Sequence, residues 1–293
     1  MGEVGPGENE LKLRRGRPED APELGRICYE AFNSISTKHG YPCDFPSAQV
    51  ATETMKALLG HPRFYSVVAE SHGKILGSNF LDERATVTGI GPISVDPAYQ
   101  NGGVGRELML DVMRRSHDIG AAGARLVQAA YHARSLALYT KLGFETREPL
   151  TNLVGTLPKG RVEGHEVRKA AEGDLHACNR LCEFVHGFNR GGQLAAAVEG
   201  GAALVVEHGG WITAYSTNLA FTGHTVGESN EDIKALISHV GTLEAPGILV
   251  PTRNQGLMRW CLQNGLRINQ QMTLMTTGLY SEPRGVYLPS ILF

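Results

Sequence analysis

Hydrophobic positions along this chain alternate between the two-residue period of strands and the three- to four-residue period of helices. A first strand is predicted at residues 11–15. A helix follows, with Asp20 as its N-cap and Glu23 as the second member of a capping box. Another helix is predicted from the cap Ser47 through Leu59. The apolar face of the first helix is formed by Leu24, Ile27, Cys28 and Ala31.

Extended segments follow these helices. Residues 64–70 and 75–82 have the composition of strands, and the turn at 71–74 predicts that they pair as a hairpin. The next long strand is predicted at residues 85–95. Because proline cannot donate to a strand ladder, Pro92 indicates an irregularity or a bulge within this strand.

The stretch at residues 93–109 ends this strand and begins a helix. The strand stops at Asp96-Pro97, and an apolar helical period then runs from Val104 to about Ile119. The turn contains the glycines Gly102, Gly103 and Gly105. First-turn N–H groups of a helix lack helical partners and carry partial positive charge, and glycine lets a phosphate approach the backbone. The pattern therefore predicts an anion site.

Two sequence elements together resemble the GNAT superfamily of acyl-CoA-dependent N-acyltransferases. The glycine turn lacks the Gly-Lys-Ser/Thr of a Walker A loop and the G-x-G-x-x-G spacing of dinucleotide sites. Its pattern, Gln100-x-x-Gly103-x-Gly105, resembles the pyrophosphate loop of that superfamily. Further along the chain, residues 135–144 (Ser-Leu-Ala-Leu-Tyr-Thr-Lys-Leu-Gly-Phe) resemble its closing helix and turn.

This resemblance implies the fold class: an α/β (α+β) architecture with a twisted, mixed sheet flanked by helices. Residues 125–130 become a strand parallel to residues 85–95, and the pantetheine arm of the cofactor enters a gap between the two. The helix that contains Tyr139 ends at Gly143, and closing strands run to about Leu157.

The resemblance also implies the residues that bind the cosubstrate, acetyl-CoA. Residues 100–106 hold the pyrophosphate, mainly through backbone N–H groups. Ile93 and Val95 offer main-chain groups to the pantetheine amides. The complete cofactor-binding set is Ile93, Ser94, Val95, Gln100, Asn101, Gly102, Gly103, Val104, Gly105, Arg106, His132, Ser135 and Tyr139.

Tyr139 is the predicted catalytic residue. In GNAT enzymes the tyrosine of this motif often protonates the departing CoA thiolate as a general acid. The alternative is a tyrosine that only packs its helix against the sheet. His132 stands where the family often has an asparagine that contacts the cofactor, so this contact stays open between a functional substitute and a neutral change.

The general base stays open as well. Many family members carry a carboxylate midway along the strand before the loop, whereas Val87 lies near that position here. A water relay is one alternative. The other candidates are side chains of nearby segments: His39, Asp44, Asp82 and Glu83. These four residues also outline the predicted substrate site. The alternative interpretation of each is an ordinary turn or solvated residue.

The second half of the chain repeats the first with decay. Residues 167–174 parallel residues 13–20, and residues 203–212 parallel residues 66–75. Such duplication implies two copies of one fold, hence two GNAT-like domains. The second copy lacks the glycine cradle, has Cys261 in the place of Tyr139, and carries acids that would repel a pyrophosphate. These acids are Glu228, Glu231 and Asp232.

The predicted division is therefore a disordered tail at residues 1–10, a GNAT domain at 11–157, a linker at 158–165 and a degenerate GNAT-like domain at 166–293. The apolar segment at residues 287–293 is expected to pack, either as an added strand or by closing a pocket between the copies.

Composition narrows the class of protein. A chain of 293 residues favours two domains, and a net charge of −2 with no basic block argues against nucleic acid and anionic membranes as partners. No apolar run is long enough for a membrane span. Five cysteines without a C-x-x-C pattern suggest reduced thiols in the cytoplasm. Cys178 and Cys182 are interpreted as small buried side chains, and no metal site is predicted.

These patterns predict an N-acetyltransferase that transfers the acetyl group of acetyl-CoA to a primary amine by direct attack in a ternary complex. A small-molecule acceptor is expected, because a second domain can wall in the mouth of the pocket. The alternative is an acyl-CoA-binding sensor or scaffold without catalysis, which Val87 and His132 favour. GNAT proteins often dimerise, so a homodimer is one option for the assembly.

Overall fold

The computed structural model describes residues 11–292, so the predicted tail at residues 1–10 lies outside the described residues. The chain forms two compact units. The described part of the first unit comprises residues 11–82 and 90–120, and that of the second comprises residues 83–89 and 121–292. The predicted linker at 158–165 lies where one strand has ended at Thr156 and the next begins at His165. The assignment of two copies on either side of it stays a prediction.

Strands and helices are interspersed along the chain. The strands, in chain order, are β1 (Lys12–Arg15), β2 (Phe64–Ser71), β3 (Lys74–Asp82), β4 (Val87–Ile90), β5 (Ser94–Val95), β6 (Gly123–Ala129), β7 (Glu145–Thr156), β8 (His165–Lys169), β9 (Leu204–His208), β10 (Trp211–Ser216), β11 (Thr225–Gly227), β12 (Thr242–Pro251), β13 (Leu266–Gly278) and β14 (Val286–Leu288). The helices are α1 (Ala21–Lys38), α2 (Ala48–Gly60), α3 (Val104–Asp118), α4 (Ala133–Lys141), α5 (Leu175–His186), α6 (Gly191–Glu199), α7 (Asn230–Val240) and α8 (Gln255–Gln263).

The first unit is built on antiparallel strands. β1 pairs with β2, β2 pairs with β3 in the predicted hairpin, and β5 pairs with β3. The two strands β3 and β5 approach closely because Gly77 has no side chain. A Cβ at Gly77 would lie 2.4 Å from the carbonyl oxygen of Ser94, which real structures do not allow. This glycine therefore fixes where β5 lies, and with it the loop that follows.

The two predicted helix caps have different outcomes. Ser47 caps α2 as predicted, because its side chain accepts the N–H of Val50. Asp20 is the N-cap residue of α1 as predicted, but its side chain makes no cap hydrogen bond to α1, so the predicted capping box with Glu23 is wrong. The Asp20 carboxylate accepts the Arg17 N–H at 2.7 Å and the guanidinium of Arg14, so it caps the short turn before α1 instead.

The predicted strand at residues 85–95 is interrupted. β4 ends at Ile90 and β5 begins at Ser94, and the peptide bond between Gly91 and Pro92 is cis. The irregularity expected at Pro92 is thus confirmed, whereas a continuous strand is wrong. The physical reason is that proline has no N–H to continue the ladder.

The second unit contains two sheets. In one, the order is β4-β6-β13-β7-β12, with β4 and β6 parallel and the other neighbours antiparallel. In the other, the order is β14-β11-β10-β9-β8 and all neighbours are antiparallel. The mixed α/β architecture predicted from the sequence is confirmed. Strands from residues 123–156 and 242–278 share the first of these sheets, which the repeat pattern did not predict.

The C-terminal segment packs, as predicted. Tyr287 lies opposite Val226 where β14 joins β11, so the segment adds a strand. Further on, the Ile291 N–H donates to the Phe221 carbonyl oxygen at 2.8 Å. Phe293 lies outside the described residues. The interpretation of Cys178 and Cys182 is also confirmed, because both side chains are fully buried in an apolar cluster beneath α5.

Among residues 11–292, none of the helices has the length and apolar character that crossing a membrane requires. The same residues contain no cluster of three or more His, Cys, Asp or Glu side chains arranged to hold a metal ion.

Substituting Gly77 tests the close approach of β3 and β5. We expect Gly77→Ala to lower the free energy of unfolding by roughly 1–3 kcal/mol, the usual cost of overpacking. Urea denaturation followed by circular dichroism measures this loss. Gly60→Ala is the matched control, because a Cβ at Gly60 meets no heavy atom within 4 Å. Equal stability of the two variants would contradict the close approach.

Candidate active site

The turn after β5 is held by one buried carboxylate. Asp96 is 5% exposed, and it accepts the N–H of Ala98 at 2.9 Å and the Nη2 of Arg26 at 3.0 Å. The first bond caps the short helical turn Pro97–Tyr99. Burial opposes ionisation of Asp96, but these two hydrogen bonds outweigh it and hold its pKa below the usual value. The carboxylate is therefore charged and ties the turn to α1.

Arg26 holds this turn to α1 through Asp96, a contact that sequence reasoning missed. Its guanidinium binds Glu23 at 2.7 Å and Glu30 one turn later, in addition to Asp96. The spacing of Glu23, Arg26 and Glu30 along a helix could have revealed the local pairs. No local pattern could have revealed the bond to Asp96, because the two residues are far apart in the sequence.

The glycine turn leaves the N-terminus of α3 open. Asn101 and Gly103 have φ values of 71° and 86°, in the left-handed region, and a Cβ at Gly103 would meet no atom within 4 Å. Gly103 is the N-cap residue and has no side chain to bind the first-turn N–H groups. The amides of Val104 and Gly105 therefore face a space in which an anion can accept hydrogen bonds.

Two side chains of the loop have partners within it. The Gln100 amide Nε2 donates to the carbonyl oxygen of Val95 at 3.1 Å, which braces the turn against β5. The exposed Arg106 guanidinium lies 2.8 Å from the carboxylate of Glu107. The backbone amides of the turn, more than these side chains, are what the loop presents to a phosphate.

Three predicted residues form a hydrogen-bonded row on α4. The Oγ of Ser135 lies 2.7 Å from the Nδ1 of His132, and Ser135 also hydrogen-bonds the hydroxyl of Tyr139. The spacing of these residues places them on one face of the helix. His132 begins α4 as its N-cap residue without a side-chain cap bond, so its ring is oriented through Ser135.

Tyr139 has the properties of a neutral acid. The residue is 6% exposed, and its ring packs edge-on against that of Phe144, with 6.3 Å between the ring centroids. Burial raises the pKa of Tyr139 to about 12, although the hydrogen bond to Ser135 acts in the opposite direction. The phenol therefore keeps its proton at neutral pH.

These residues divide between the two units. Residues 93–106 belong to the first unit, whereas His132, Ser135 and Tyr139 belong to the second. Within the first unit the structure brings the loop, β5 and the Arg26–Asp96 pair together. Within the second it brings His132, Ser135 and Tyr139 together. Their roles in binding and catalysis stay predictions.

The candidates for the base lie on different segments. His39 follows the last turn of α1 and is exposed, and Asp44 is half-buried on the loop before α2. Asp82 ends β3 and is 2% exposed, and Glu83 is half-buried at the start of the second unit. Val87 is buried in an apolar cluster. The choice among water and these four side chains stays open.

The helix that the predicted repeat pairs with α3 has an acidic side chain at its N-terminus. Asp232, 2% exposed, accepts the N–H of Ser229 at 2.9 Å, and the Ser229 hydroxyl accepts the N–H of Asp232. This capping box occupies the N-terminus of α7 with a carboxylate. On α8, burial raises the pKa of the Cys261 thiol to about 12, so this side chain is an uncharged packing residue.

Comparison with known proteins agrees with this geometry. Residues 29–144 match the model of the acetyltransferase (GNAT) family. A solved structure from Pyrococcus horikoshii, described as an acetyltransferase, is 17% identical with a TM-score of 0.72 over 98% of this chain and 97% of that one. The GCN5-related N-acetyltransferase of Sphaerobacter thermophilus is 15% identical with a TM-score of 0.60 over 93% and 96%. At such identities the likeness shows the fold. No curated protein matches the chain.

The raised pKa of Tyr139 predicts a pH-dependent stability difference. The folded state holds the phenolic proton up to about pH 12, whereas the unfolded chain releases it near pH 10. The contribution is therefore complete below pH 10 and is lost as the pH rises toward 12. Between these values the free energy of unfolding of wild type should fall by roughly 2–3 kcal/mol more than that of Tyr139→Phe. Urea unfolding at several pH values measures both, and parallel curves would contradict a buried phenol.

Proposed function

We propose that this chain, whose residues 29–144 match the model of the acetyltransferase (GNAT) family, transfers the acetyl group of acetyl-CoA to the primary amine of a small molecule. The observation that carries the proposal is the open N-terminus of α3 after β5. It offers backbone donors to an anion, and the strand that precedes it is fixed by Gly77 and Asp96.

In this proposal the first unit holds the pyrophosphate of acetyl-CoA. The amides of Val104 and Gly105 donate to it, and the positive end of the α3 dipole adds to the attraction. The side chains of Asp96 and Gln100 fix the turn from within, so in this proposal backbone amides hold the phosphate. Ile93 and Val95 supply main-chain groups along the pantetheine arm.

The chemical step is the direct attack of an amine on the thioester. The amine nitrogen forms a bond to the acetyl carbon, the carbon–sulfur bond breaks, and CoA leaves as a thiolate. Tyr139 donates its phenolic proton to that sulfur, and the nitrogen loses a proton to water or to one of the candidate bases. A phenol with a pKa near 12 is fully protonated before each turnover.

The row on α4 then restores the acid. The tyrosinate formed on Tyr139 regains a proton from the Ser135 hydroxyl, which in turn takes one from Nδ1 of His132, while the other ring nitrogen of His132 takes up a proton from water. His132 would thus act on the proton of Tyr139 rather than as a replacement for an asparagine that contacts the cofactor. The small-molecule acceptor rests on the tandem architecture expected from the sequence.

Titration calorimetry of acetyl-CoA tests the binding step first. Wild type is expected to bind, and Gly103→Glu is expected to lose binding, because the glutamate adds negative charge and a strained left-handed residue at the phosphate turn. Gly60→Glu is the control with the same change of charge, at a position where a Cβ meets no atom within 4 Å. No binding to wild type would overturn the proposal. Binding without thiol release on any amine would favour the sensor or scaffold.

Substitution of Tyr139 tests the acid. We expect Tyr139→Phe to lower kcat by about 100-fold or more, the usual contribution of a general acid, with an unchanged Kd for acetyl-CoA. Ser135→Ala should lower kcat by roughly tenfold, since it removes one hydrogen bond to Tyr139. Thiol release with an amine panel measures both. Tyr65→Phe is the control, because its hydroxyl binds Asp111 in the first unit, and an equal loss there would contradict a specific role for Tyr139.

A further inference from the structure

A buried arginine lies on an inner strand of the second unit. Arg125 is 1% exposed on β6, opposite Gly89 of β4 on one side and Thr276 of β13 on the other. Arginine is rarely buried to this extent unless its charge has a use. The proposed mechanism gives Arg125 no role.

The surroundings of Arg125 are aromatic and basic. Its Cζ lies 5.0 Å from the ring centroid of Phe188 and 5.3 Å from that of Tyr280. A second arginine, Arg190, is 3% exposed. Burial first, and then the charge of Arg190, lower the pKa of Arg125 to about 9. Burial, and then the charges of Arg125 and Arg190, hold the pKa of His186 well below its usual value, so its ring is neutral. A negative charge placed beside the two guanidinium groups would be stabilised by both.

Two tyrosine hydroxyls add hydrogen-bonding capacity. Tyr287 is 5% exposed, and its ring meets that of His186 at 5.2 Å. Within residues 11–292 neither the Tyr287 hydroxyl nor the Tyr280 hydroxyl has a hydrogen-bond partner, and both are in electrostatic range of Arg125. Buried hydroxyls in this state favour a ligand oxygen that accepts their protons.

One acid limits the charge of that ligand. Glu148 is 2% exposed and lies in electrostatic range of Tyr280 and Tyr287. Its carboxylate binds Arg253 at 2.6 Å, which neutralises part of its field. A dianion such as a phosphate would still be repelled, so the arrangement favours a single negative charge.

Half-buried apolar side chains lie on the same face of the sheet as Arg125. Val127 follows Arg125 by two residues, so both side chains point to one face, and Val127 is half-buried although β6 is an inner strand. It packs in a cluster with Ile291 of the C-terminal segment, which is also half-buried. Part of the apolar surface on the face of β6 that carries Arg125 is therefore exposed to solvent.

We propose that the acceptor amine also carries a carboxylate. This carboxylate binds Arg125 and Arg190 and accepts hydrogen bonds from the hydroxyls of Tyr280 and Tyr287. The apolar part of the acceptor lies against Val127 and Ile291. The acceptor is then an amino acid or a related amino-carboxylate. This inference rests on the proposed function, since it names the substrate class of the same reaction.

Matched pairs of acceptors test the inference. Each pair consists of an amino-carboxylate and the amine that lacks only the carboxylate, for example phenylalanine with phenethylamine and β-alanine with ethylamine. For the best pair, wild type should give a kcat/KM about 100-fold higher for the member with the carboxylate. Arg125→Gln should reduce this ratio to near one, and Arg125→Lys should restore part of it, with acetyl-CoA binding retained in both.

Arg147→Gln is the matched control. Its Cζ lies 5.0 Å from the same Tyr280 ring, but the residue is a third exposed and binds Glu145. This variant should keep the wild-type ratio. A wild-type ratio near one, or an equal loss for both members of the pair in Arg125→Gln, would overturn the inference while leaving acetyl transfer intact.

A binding measurement separates this inference from the proposed function. Phenylacetate and propionate, compared with chloride at equal ionic strength, should raise the melting temperature of wild type but not that of Arg125→Gln. Absence of any amine-dependent thiol release would defeat the proposed function. Equal melting temperatures with carboxylate and chloride would defeat the carboxylate site.

Discussion

The Asp96 carboxylate, held between the Arg26 guanidinium and the Ala98 N–H, is the interaction on which the glycine turn before α3 depends. It lies at the residue where β5 ends, so it decides the direction in which the chain leaves the sheet. Gln100 adds a second brace to Val95 from the other side of the turn. With the turn fixed from within, no side chain is needed at the N-terminus of α3, and its amides remain available to an external anion.

The N-termini of α3 and α7, which the predicted repeat pairs with each other, are capped differently. At α3 the N-cap residue is Gly103, and the first-turn amides are open. At α7 the N-cap residue is Ser229, and Asp232 closes the end with its own charge, supported by the Thr213 hydroxyl. The Asp232 carboxylate already places a negative charge at the N-terminus of α7, where a pyrophosphate would place its own. In the proposed function, this difference accounts for cofactor binding by the first half of the chain alone.

Local sequence signals predicted the features that short segments determine. Hydrophobic period and turn chemistry predicted the hairpin of β2 and β3, the cap Ser47 and the glycine turn. A contiguous motif predicted the helix and turn at residues 135–144. The features that were missed depend on distant residues. The Asp20 carboxylate binds Arg14 and Arg17, the Arg26 guanidinium binds Asp96, and Arg125 is buried on a strand for which no buried charge was predicted. Such pairings are set by tertiary packing, which no local window contains.

Burial has different consequences for the two ionisable side chains that matter most in the second unit. For Tyr139 the neutral form is the protonated one, so removing water strengthens its hold on the proton and prepares a donor. For Arg125 the protonated form is the charged one, so the same removal of water makes the proton less firmly held and the charge costly. A neutral acid can remain buried at no electrostatic cost, whereas a buried cation is stabilised when an anion approaches. The first property suits a proton donor for a leaving thiolate, and the second suits recognition of a charged acceptor.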